Sequence, residues 1–267
     1  MATDRDERAL VIVGGGRMGE ALLAGLLAGG RPAEELAVAE VSPARRDELA
    51  AAHTGVEVAE APVPAAGAVL AVKPGDVAAA AVAVADAGAQ RILSVAAGVT
   101  TEAIERASGG RLPVIRAMPN TPALVGAGAA AICAGSAAGE DDLAWAEELL
   151  GAVGVVVRAP EKDLDAVTGL SGSGPAYVFL VAEAMAEAGV LAGLARDVAE
   201  TLAFQTLLGS ARMLAEGGTS PAALRAAVTS PGGTTAAGLR ELERHGVRAA
   251  FLDAVMAATH RSRELGG

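Results

Sequence analysis

Residues 9–30 of this chain, ALVIVGGGRMGEALLAGLLAGG, contain the pattern that decides its fold. The apolar run Leu10–Val13 predicts a buried strand, and the leucine and alanine pattern of Glu20–Ala28 predicts a helix. The loop Gly14–Gly19 between them satisfies G-x-G-x-x-G, in which the first glycine turns the chain, the second admits a pyrophosphate and the third packs helix on strand. Because a helix N-terminus also attracts phosphate, the stretch favours a dinucleotide-binding unit over a plain tight turn.

The same alternation of short apolar runs and helical stretches continues to about residue 160. Further strands are expected at Leu36–Glu40, Gly55–Val58, Ala68–Val72, Arg91–Ser94, Val114–Arg116, Ala129–Cys133 and Val153–Val157. Further helices are expected at Pro43–Ala52, Val77–Ala87, Thr101–Ser108 and Glu140–Leu150. Alternating strands and helices indicate βαβ units, so residues 1–160 are predicted to form an α/β Rossmann domain with a doubly wound, mostly parallel sheet.

Helices replace strands in the rest of the chain, and residues 161–267 are predicted to form an all-α domain. Its helices are expected at Pro175–Val190, Ala195–Ala215, Pro221–Val228, Thr234–His245 and Arg248–Glu264. Several are apolar around much of their circumference, which predicts a subunit interface and a homo-oligomer. The charged run Glu161–Asp165 is the expected hinge between the domains.

Charge and cysteine content limit the partners and the compartment. The net charge of −11 argues against general affinity for nucleic acid or anionic membrane. The single Cys133 forms no internal disulfide, which suits a reducing cytosol, and Ala9–Val13 is too short for a signal or a membrane span. The three histidines are scattered without metal-ligand spacing. We therefore expect a cytoplasmic protein that binds neither metal nor membrane nor nucleic acid.

The end of the second predicted strand leaves the form of the dinucleotide open. Glu40 lies about twenty residues after the glycine loop, where an acid usually bonds the adenosine ribose hydroxyls of NAD. Ser42, Arg45 and Arg46 follow at once, and these residue types also suit the 2′-phosphate of NADP. The alternative is an ordinary helix start, with Ser42 as N-cap and a solvated basic first turn. The cofactor is accordingly expected to be NADPH or NADH.

Lysine is scarce, which draws attention to Lys73. Of the 21 basic residues only Lys73 and Lys162 are lysine. Lys73 follows a predicted buried strand, on the rim where open α/β sheets bind ligands, whereas Lys162 lies in the charged hinge. A role for Lys73 in the site is favoured over a chance surface lysine.

Two segments of the second half combine glycine with hydroxyl side chains. Gly169–Pro175 is predicted to be a flexible loop that opens the first long helix, and Thr229–Thr235 opens another helix in the same way. Exposed N–H groups at a helix start suit a carboxylate, although each segment alone is equally consistent with a capped turn or with close helix packing. The two together favour an anionic small-molecule substrate.

At this point the chain resembles one family, pyrroline-5-carboxylate reductase. The matching stretches occur in the family's order: Gly14–Gly19, Ala71–Pro74, Ala96–Thr100, Arg116–Pro122, Asp165–Tyr177 and Ser230–Thr235. The last two are highly specific signatures. The resemblance implies NAD(P)H-dependent reduction of 1-pyrroline-5-carboxylate to L-proline, the last step of proline biosynthesis. It also implies that the helical domain is a dimerisation domain, often within a decamer built as a ring of dimers.

The resemblance also implies site residues. Cofactor contacts are expected, from the resemblance and the glycine loop together, at Gly14, Gly15, Gly16, Arg17, Met18, Gly19, Glu40, Ser42, Ala71, Val72, Lys73, Pro74, Ala96, Ala97, Gly98 and Asn120. Substrate contacts are implied at Glu161, Ser230, Gly232, Gly233, Thr234 and Thr235. Lys73 and Thr235 are the candidate catalytic residues, and bound water or an already protonated substrate are equally good proton sources. Glu40 departs from the family's leaning towards NADPH, and an asparagine that some members carry has no match near Val58–Glu60.

Two alternative functions share parts of this pattern. A β-hydroxyacid dehydrogenase has the same Rossmann-plus-helical plan but uses a lysine of its second domain, and no lysine follows Lys162 here. A dinucleotide-sensing protein without catalysis would not need the two glycine-rich segments of the second half.

Overall fold

Eight strands form one sheet in the computed structural model, which describes residues 8–266. They are β1 Arg8–Val13, β2 Leu36–Ala39, β3 Glu57–Ala59, β4 Ala65–Leu70, β5 Ile92–Ser94, β6 Val114–Met118, β7 Gly128–Ala134 and β8 Gly154–Arg158. Their order is β3-β2-β1-β4-β5-β6-β7-β8, with neighbours parallel except β6 and β7. The order reverses between β1 and β4, as in a doubly wound dinucleotide-binding sheet, so the predicted fold class is confirmed.

Eleven α-helices are found among the described residues, and they include every predicted one. They are α1 Arg17–Ala28, α2 Pro43–Ala52, α3 Val77–Asp86, α4 Thr101–Ala107, α5 Glu140–Gly151, α6 Leu164–Val167, α7 Gly174–Leu191, α8 Arg196–Glu216, α9 Pro221–Ala227, α10 Thr234–Arg244 and α11 Val247–Gly266. The predicted bounds differ by a few residues at most. Helix α1 begins at Arg17, earlier than expected, because Gly16 already has the extended backbone of an N-cap.

The core of the sheet lies on both of its faces. Leu10 and Ile12 of β1 pack with leucines of α1 and α5 on one face. Val11 and Val13, which point the opposite way, pack with α3 and α4 on the other. All four side chains are buried. This double covering holds the carboxyl ends of β1, β2 and β4 side by side.

The chain divides into two compact units, which we call the first and second units. The first contains the residues up to Ser173 together with those from Ala257 onward, and the second is Gly174–Met256. The charged run Glu161–Asp165, where the hinge is predicted, forms a 3₁₀ turn and the start of α6. The domain boundary between residues 160 and 161 stays a prediction, and residues 1 and 267, where the predicted domains begin and end, lie outside the described residues.

The predicted flexible loop at Gly169–Pro175 is also wrong. Thr168–Gly172 forms a π-helical turn, and α7 begins two residues later. The hydroxyls that suggested a ligand loop are used locally: the Thr168 hydroxyl donates to the Leu164 carbonyl at 2.8 Å, and that of Ser171 to Val167 at 3.1 Å. A Cβ at Gly172 would lie 2.7 Å from Cε of Met118, so this glycine serves close packing.

The second unit contains helices without a sheet, and much of its apolar surface is exposed. Helices α7 and α8 approach closely where Gly189 meets Ala199. Large exposed side chains on these helices include Phe179, Leu180, Leu202 and Phe204. By length and composition alone, the helical run Glu161–Leu191 is apolar enough to cross a membrane, and little of it is buried in the single chain.

Candidate active site

The glycine loop has the shape that a pyrophosphate requires. Gly14 has a φ of +100°, and a Cβ there would lie 2.6 Å from the carbonyl oxygen of Ala71. A Cβ at Gly19 would collide with the Gly14 carbonyl oxygen. A Cβ at Gly16 would meet no heavy atom within 4 Å. The first and third glycines are therefore demanded by packing, while the second leaves open space beside the N-terminus of α1.

The loop opens into a cleft at the point where the strand order reverses. The Gly14 N–H donates to the Ala39 carbonyl at 2.8 Å, and the Ala71 N–H donates to Val13 at 2.8 Å, which ties together the ends of β1, β2 and β4. The cleft has a volume of about 630 Å³. Its lining includes Val13, Gly14, Gly16, Ala39, Glu40, Val41, Glu60, Pro62, Ala71, Val72, Lys73, Asp76 and Ala80. A cleft of this size at the switch point suits an extended dinucleotide.

Glu40 is fixed at the edge of this cleft by two backbone groups. Its Oε2 accepts a hydrogen bond from the Gly15 N–H, and its Oε1 accepts one from the Ser42 N–H, each at 2.9 Å. Gly15 is buried, so the carboxylate is joined to the interior of the glycine loop. The side chain is thereby oriented before any ligand binds.

The two arginines after Glu40 are engaged with other groups. Arg45 donates to the Gly15 carbonyl at 2.8 Å and pairs with Glu20 and Glu48. Its hydrogen bond to Glu20 lowers the pKa of that carboxyl. Arg46 donates to the carbonyls of Glu40 at 2.8 Å and Val41 at 3.0 Å. Ser42 caps α2 through the Arg45 N–H, as in the alternative of an ordinary helix start, but the two arginines are partly buried and not solvated as that alternative expected.

The remaining residues of the predicted cofactor set lie along the same rim or beside it. Arg17 and Met18 form the first turn of α1, with Arg17 exposed. Val72 and Lys73 follow β4 and line the cleft, and Pro74 opens a short 3₁₀ turn. Lys73 is exposed and pairs with no carboxylate among residues 8–266. The segment Ala96–Gly98 follows β5, and Gly98 packs against Gly266 with a φ of +77°.

Asn120 is held by its own chain. Its Nδ2 donates to the Ser171 carbonyl at 3.1 Å, and its Oδ1 accepts the Ala129 N–H at 2.8 Å. Both halves of the amide are used to join the end of β6 to β7 and to the π-helical turn. Its place among the cofactor residues stays a prediction.

Glu161 is the centre of a charged cluster that also contains Thr101 and Arg116. Its carboxylate accepts bonds from the Thr101 N–H and hydroxyl, each at 2.8 Å, and from Nη1 of Arg116 at 3.1 Å. Burial by itself would raise the pKa of Glu161, but these donors together hold it below its ordinary value. Burial, with the Glu161 charge nearby, raises the pKa of the Cys133 thiol to about 11. Cys133 is therefore an unreactive core residue.

The predicted substrate loop lies in the second unit. Gly232 has a φ of +71°, and the Gly233 N–H donates to the Ser230 carbonyl at 3.1 Å, which makes a tight turn. Helix α10 begins directly after it, and no side chain caps its N-terminus. Thr234 and Thr235, in its first turn, are both exposed. This is an open helix start of the kind that binds a carboxylate.

Several residues that the structure places at these sites were not predicted. Glu60, Pro62 and Asp76 line the cleft, and their position just after strand ends was the available signal. Arg116 is a charge inside the apolar strand β6, which indicates a buried partner that the sequence does not identify. No pattern in the sequence connects it with Glu161.

Two family descriptions match the chain. Residues 161–265 match pyrroline-5-carboxylate reductase dimerisation, and residues 9–98 match coenzyme F420-dependent NADP oxidoreductase. The pyrroline-5-carboxylate reductase of Mycobacterium tuberculosis is 46% identical over 96% of each chain. That of Synechocystis is 48% identical over 96% of this chain and 98% of its own.

Solved structures agree with these matches. A pyrroline-5-carboxylate reductase from Coxiella burnetii superposes with a TM-score of 0.92 at 36% identity, covering 98% of this chain and 100% of its own. The Plasmodium falciparum pyrroline carboxylate reductase, solved with NADP bound, has a TM-score of 0.84 at 28% identity and covers 98% and 99%.

Proposed function

This chain belongs to the pyrroline-5-carboxylate reductase family, and on that premise we propose roles for its residues in catalysis. The chain is an NAD(P)H-dependent reductase that converts 1-pyrroline-5-carboxylate to L-proline, the last step of proline biosynthesis. It works as a homo-oligomer on a small-molecule substrate. The β-hydroxyacid dehydrogenase and sensor alternatives are set aside, because the relatives cover nearly the whole chain, both units included.

The dinucleotide is proposed to lie in the cleft of the first unit. The observation that carries this assignment is the open space at Gly16, between two glycines that packing requires and beside the N-terminus of α1. The backbone around Gly15, Arg17 and Met18 would hold the pyrophosphate. Val72, Lys73 and Ala97 would flank the nicotinamide, and Glu40 and Ser42 the adenosine ribose.

The reaction adds a hydride and a proton across the C=N bond of the substrate ring. The nicotinamide, when bound, supplies the hydride, which goes to ring carbon C5. The ring nitrogen has to be protonated, since the amine that forms must not carry negative charge. The residues of this chain therefore have to orient the ring, exclude water and hold a proton at the nitrogen.

The loop Ser230–Thr235 is proposed to hold the substrate. The N–H groups of Gly232, Gly233 and the uncapped start of α10 would bind its carboxylate, with the Ser230 and Thr234 hydroxyls as further donors. The Thr235 hydroxyl would then bond the ring nitrogen and relay to it a proton that bound water supplies.

Glu161 is proposed to position a loop and Lys73 to attract anionic ligands, whereas Thr235 acts on the reacting nitrogen. Both oxygens of Glu161 already accept bonds from Thr101 and Arg116, which favours a positioning role over direct contact with substrate. By fixing the first residue of α4, Glu161 would hold the loop Ala96–Gly98 in place. Lys73 brings a positive charge to the rim of the cleft, where it would attract the anionic ligands.

The assembly and the location of the enzyme are proposed as follows. The exposed apolar faces of α7 and α8 would be covered by a second subunit, so the apolar run Glu161–Leu191 needs no membrane. We propose a ring of dimers, a decamer, in the cytoplasm. The net charge of −11 supports the absence of nucleic-acid and membrane partners.

Thr235→Ala is the experiment that tests the proposed proton path. We expect kcat for pyrroline-5-carboxylate to fall by about 10²-fold, because a positioned proton donor contributes on this scale. The dinucleotide dissociation constant should not change, and Thr235→Ser should restore most of the activity. Thr219→Ala, an exposed threonine of the same unit, is the matched control. Unchanged turnover of Thr235→Ala at saturating imine would remove this residue from the mechanism.

A general check of the reaction uses substrate classes rather than variants. The wild-type enzyme should consume NAD(P)H when pyrroline-5-carboxylate is added. It should not reduce NAD(P)+ with 3-hydroxyisobutyrate, the kind of substrate that a β-hydroxyacid dehydrogenase would oxidise.

A further inference from the structure

The carboxylate of Glu40 keeps acceptor capacity on the side of the cleft. Each of its oxygens accepts one backbone hydrogen bond, from Gly15 and from Ser42, and a carboxylate oxygen can accept two. The side chain lines the cleft. Because the two backbone bonds already fix its orientation, further bonds from a pair of hydroxyl groups would require no rearrangement.

Both arginines that follow Glu40 already bond groups of the protein. Arg45 pairs with two carboxylates, those of Glu20 and Glu48, and also bonds a backbone carbonyl. Arg46 bonds two backbone carbonyls and lies 3.9 Å from Glu60. All three guanidinium nitrogens of Arg45 are used, so reaching a phosphate would break these contacts and expose the partners that it now satisfies.

The charges that line the cleft also oppose a phosphate at this end. Glu40, Glu60 and Asp76 are three carboxylates, against one cation, Lys73. A phosphate monoester carries about −1.5 to −2 charge near neutral pH. Placed beside Glu40 it would be repelled, whereas a ribose with free hydroxyls donates hydrogen bonds to the same carboxylate.

We propose that this chain selects NADH over NADPH, and that Glu40 is the residue that makes the selection by accepting bonds from the adenosine ribose hydroxyls. The selection rests on the dinucleotide site proposed above. Three features carry it together: an oriented carboxylate at the end of β2, an arginine (Arg45) whose three guanidinium nitrogens are committed to other partners, and a cleft with an excess of carboxylates.

Equilibrium binding tests the selection without relying on turnover. Dissociation constants for NADH and NADPH are measured by isothermal titration calorimetry on the assembled enzyme. The wild-type protein should bind NADH at least tenfold more tightly. Equal binding, or tighter binding of NADPH, would overturn the proposal. If neither dinucleotide binds, the proposed site itself fails, so the two failures can be told apart.

Glu40→Gln tests whether Glu40 causes the preference for NADH. It keeps an acceptor oxygen and the side-chain size but removes the charge, so NADH binding should weaken and NADPH binding should strengthen, reducing the ratio at least tenfold. Glu34→Gln is the matched control, because it removes the same charge just before the amino end of β2, and its ratio should equal that of the wild type. An unchanged ratio in Glu40→Gln would overturn the role of Glu40.

Fragment probes cover the case in which Glu40→Gln perturbs the glycine loop. The wild-type protein should bind 5′-AMP more tightly than adenosine 2′,5′-bisphosphate, since these differ only in the phosphate at issue. Glu40→Asp keeps the charge and should keep the preference for 5′-AMP even if both fragments bind more weakly. A preference for the bisphosphate in either protein would contradict the proposal.

Discussion

The first and second units solve the problem of burying apolar side chains in different ways. In the first unit both faces of the sheet are covered by helices of the same chain, and Ile12 of the central strand is 0% exposed. In the second unit Phe179 is 64% exposed and Leu252 68% exposed in the single chain. The first unit therefore has a core of its own, whereas the second has large apolar surface left for a second subunit.

The difference follows from secondary structure rather than from composition. Alanine, valine and leucine fill both units, and aromatic residues make up only 2% of the chain. A sheet with helices on both faces encloses small aliphatic side chains in layers. Helices that are apolar around most of their surface, with no sheet between them, bury it only when another subunit contributes a layer. The comparison can be tested by damaging each unit separately.

The largest expected effect is on assembly. Phe179→Glu should weaken subunit association by about 4 kcal/mol, roughly 10³-fold, because it would bury an unpaired carboxylate in the interface. Sedimentation velocity over a range of protein concentrations measures this directly. Val155→Glu, at a residue of the first unit that is 69% exposed, is the control and should leave assembly unchanged. Normal assembly of Phe179→Glu would show that this face of α7 is not an interface.

An intermediate effect is expected on the core of the first unit. Ile12→Ala should lower the free energy of unfolding by about 3 kcal/mol, through lost apolar burial and the cavity that remains. Urea titration followed by the fluorescence of Trp145, the one tryptophan, reports on this unit. Val41→Ala, at a residue that is 80% exposed, should change stability by less than about 0.5 kcal/mol. Equal losses in the two variants would mean that burial in this core does not determine how much stability a substitution removes.

The smallest expected effect concerns the charged cluster of Glu161. Its folded pKa is lowered, so its contribution is present above the unfolded value and is lost as pH falls through the folded value. Glu161→Gln should cost about 1.5 kcal/mol at pH 7, the scale of hydrogen bonds to a charged group. The cost should decrease as the pH falls below the ordinary glutamate pKa of 4.5. Urea titrations at several pH values would measure both.

Glu102→Gln is the matched control for Glu161→Gln. Glu102 lies in the first turn of α4, next to the Thr101 that Glu161 bonds, but it forms only an exposed pair with Arg106. Its loss should therefore cost less than about 0.5 kcal/mol at any pH. A penalty for Glu161→Gln that is the same at pH 3 and pH 7 would contradict the contribution of its charge.

Much of the first unit was predictable because its signals are local. The glycine loop, the apolar strands and the N-cap at Ser42 each depend on residues within a few positions of one another. The segment Gly169–Pro175 shows the limit of such signals. Its glycines and hydroxyls predict a flexible loop. In the structure the hydroxyls donate to carbonyls one helical turn earlier, and Gly172 allows Met118 to pack closely. Composition cannot distinguish a glycine that gives flexibility from one that allows close packing.

In the candidate site, too, some residues were predictable from local signals and others were not. Glu40 and Lys73 were found because both follow strands of the switch point, whose carboxyl ends meet at one edge of the sheet. The role suggested for Arg45 and Arg46 did not anticipate their partners. Arg45 bonds Gly15 and Glu20, which lie 30 and 25 residues earlier in the chain. No short-range pattern records such pairs.

By itself the sequence determined the order of strands and helices, the position of the glycine loop and the family, because local spacing or ordered motifs are enough to predict each of them. The tertiary structure alone decided that Glu161 bonds Thr101 and Arg116, that both arginines after Glu40 are engaged, and that the helices of the second unit stay uncovered in one chain. The reason is physical: hydrogen bonds and burial depend on which distant residues the fold brings within reach.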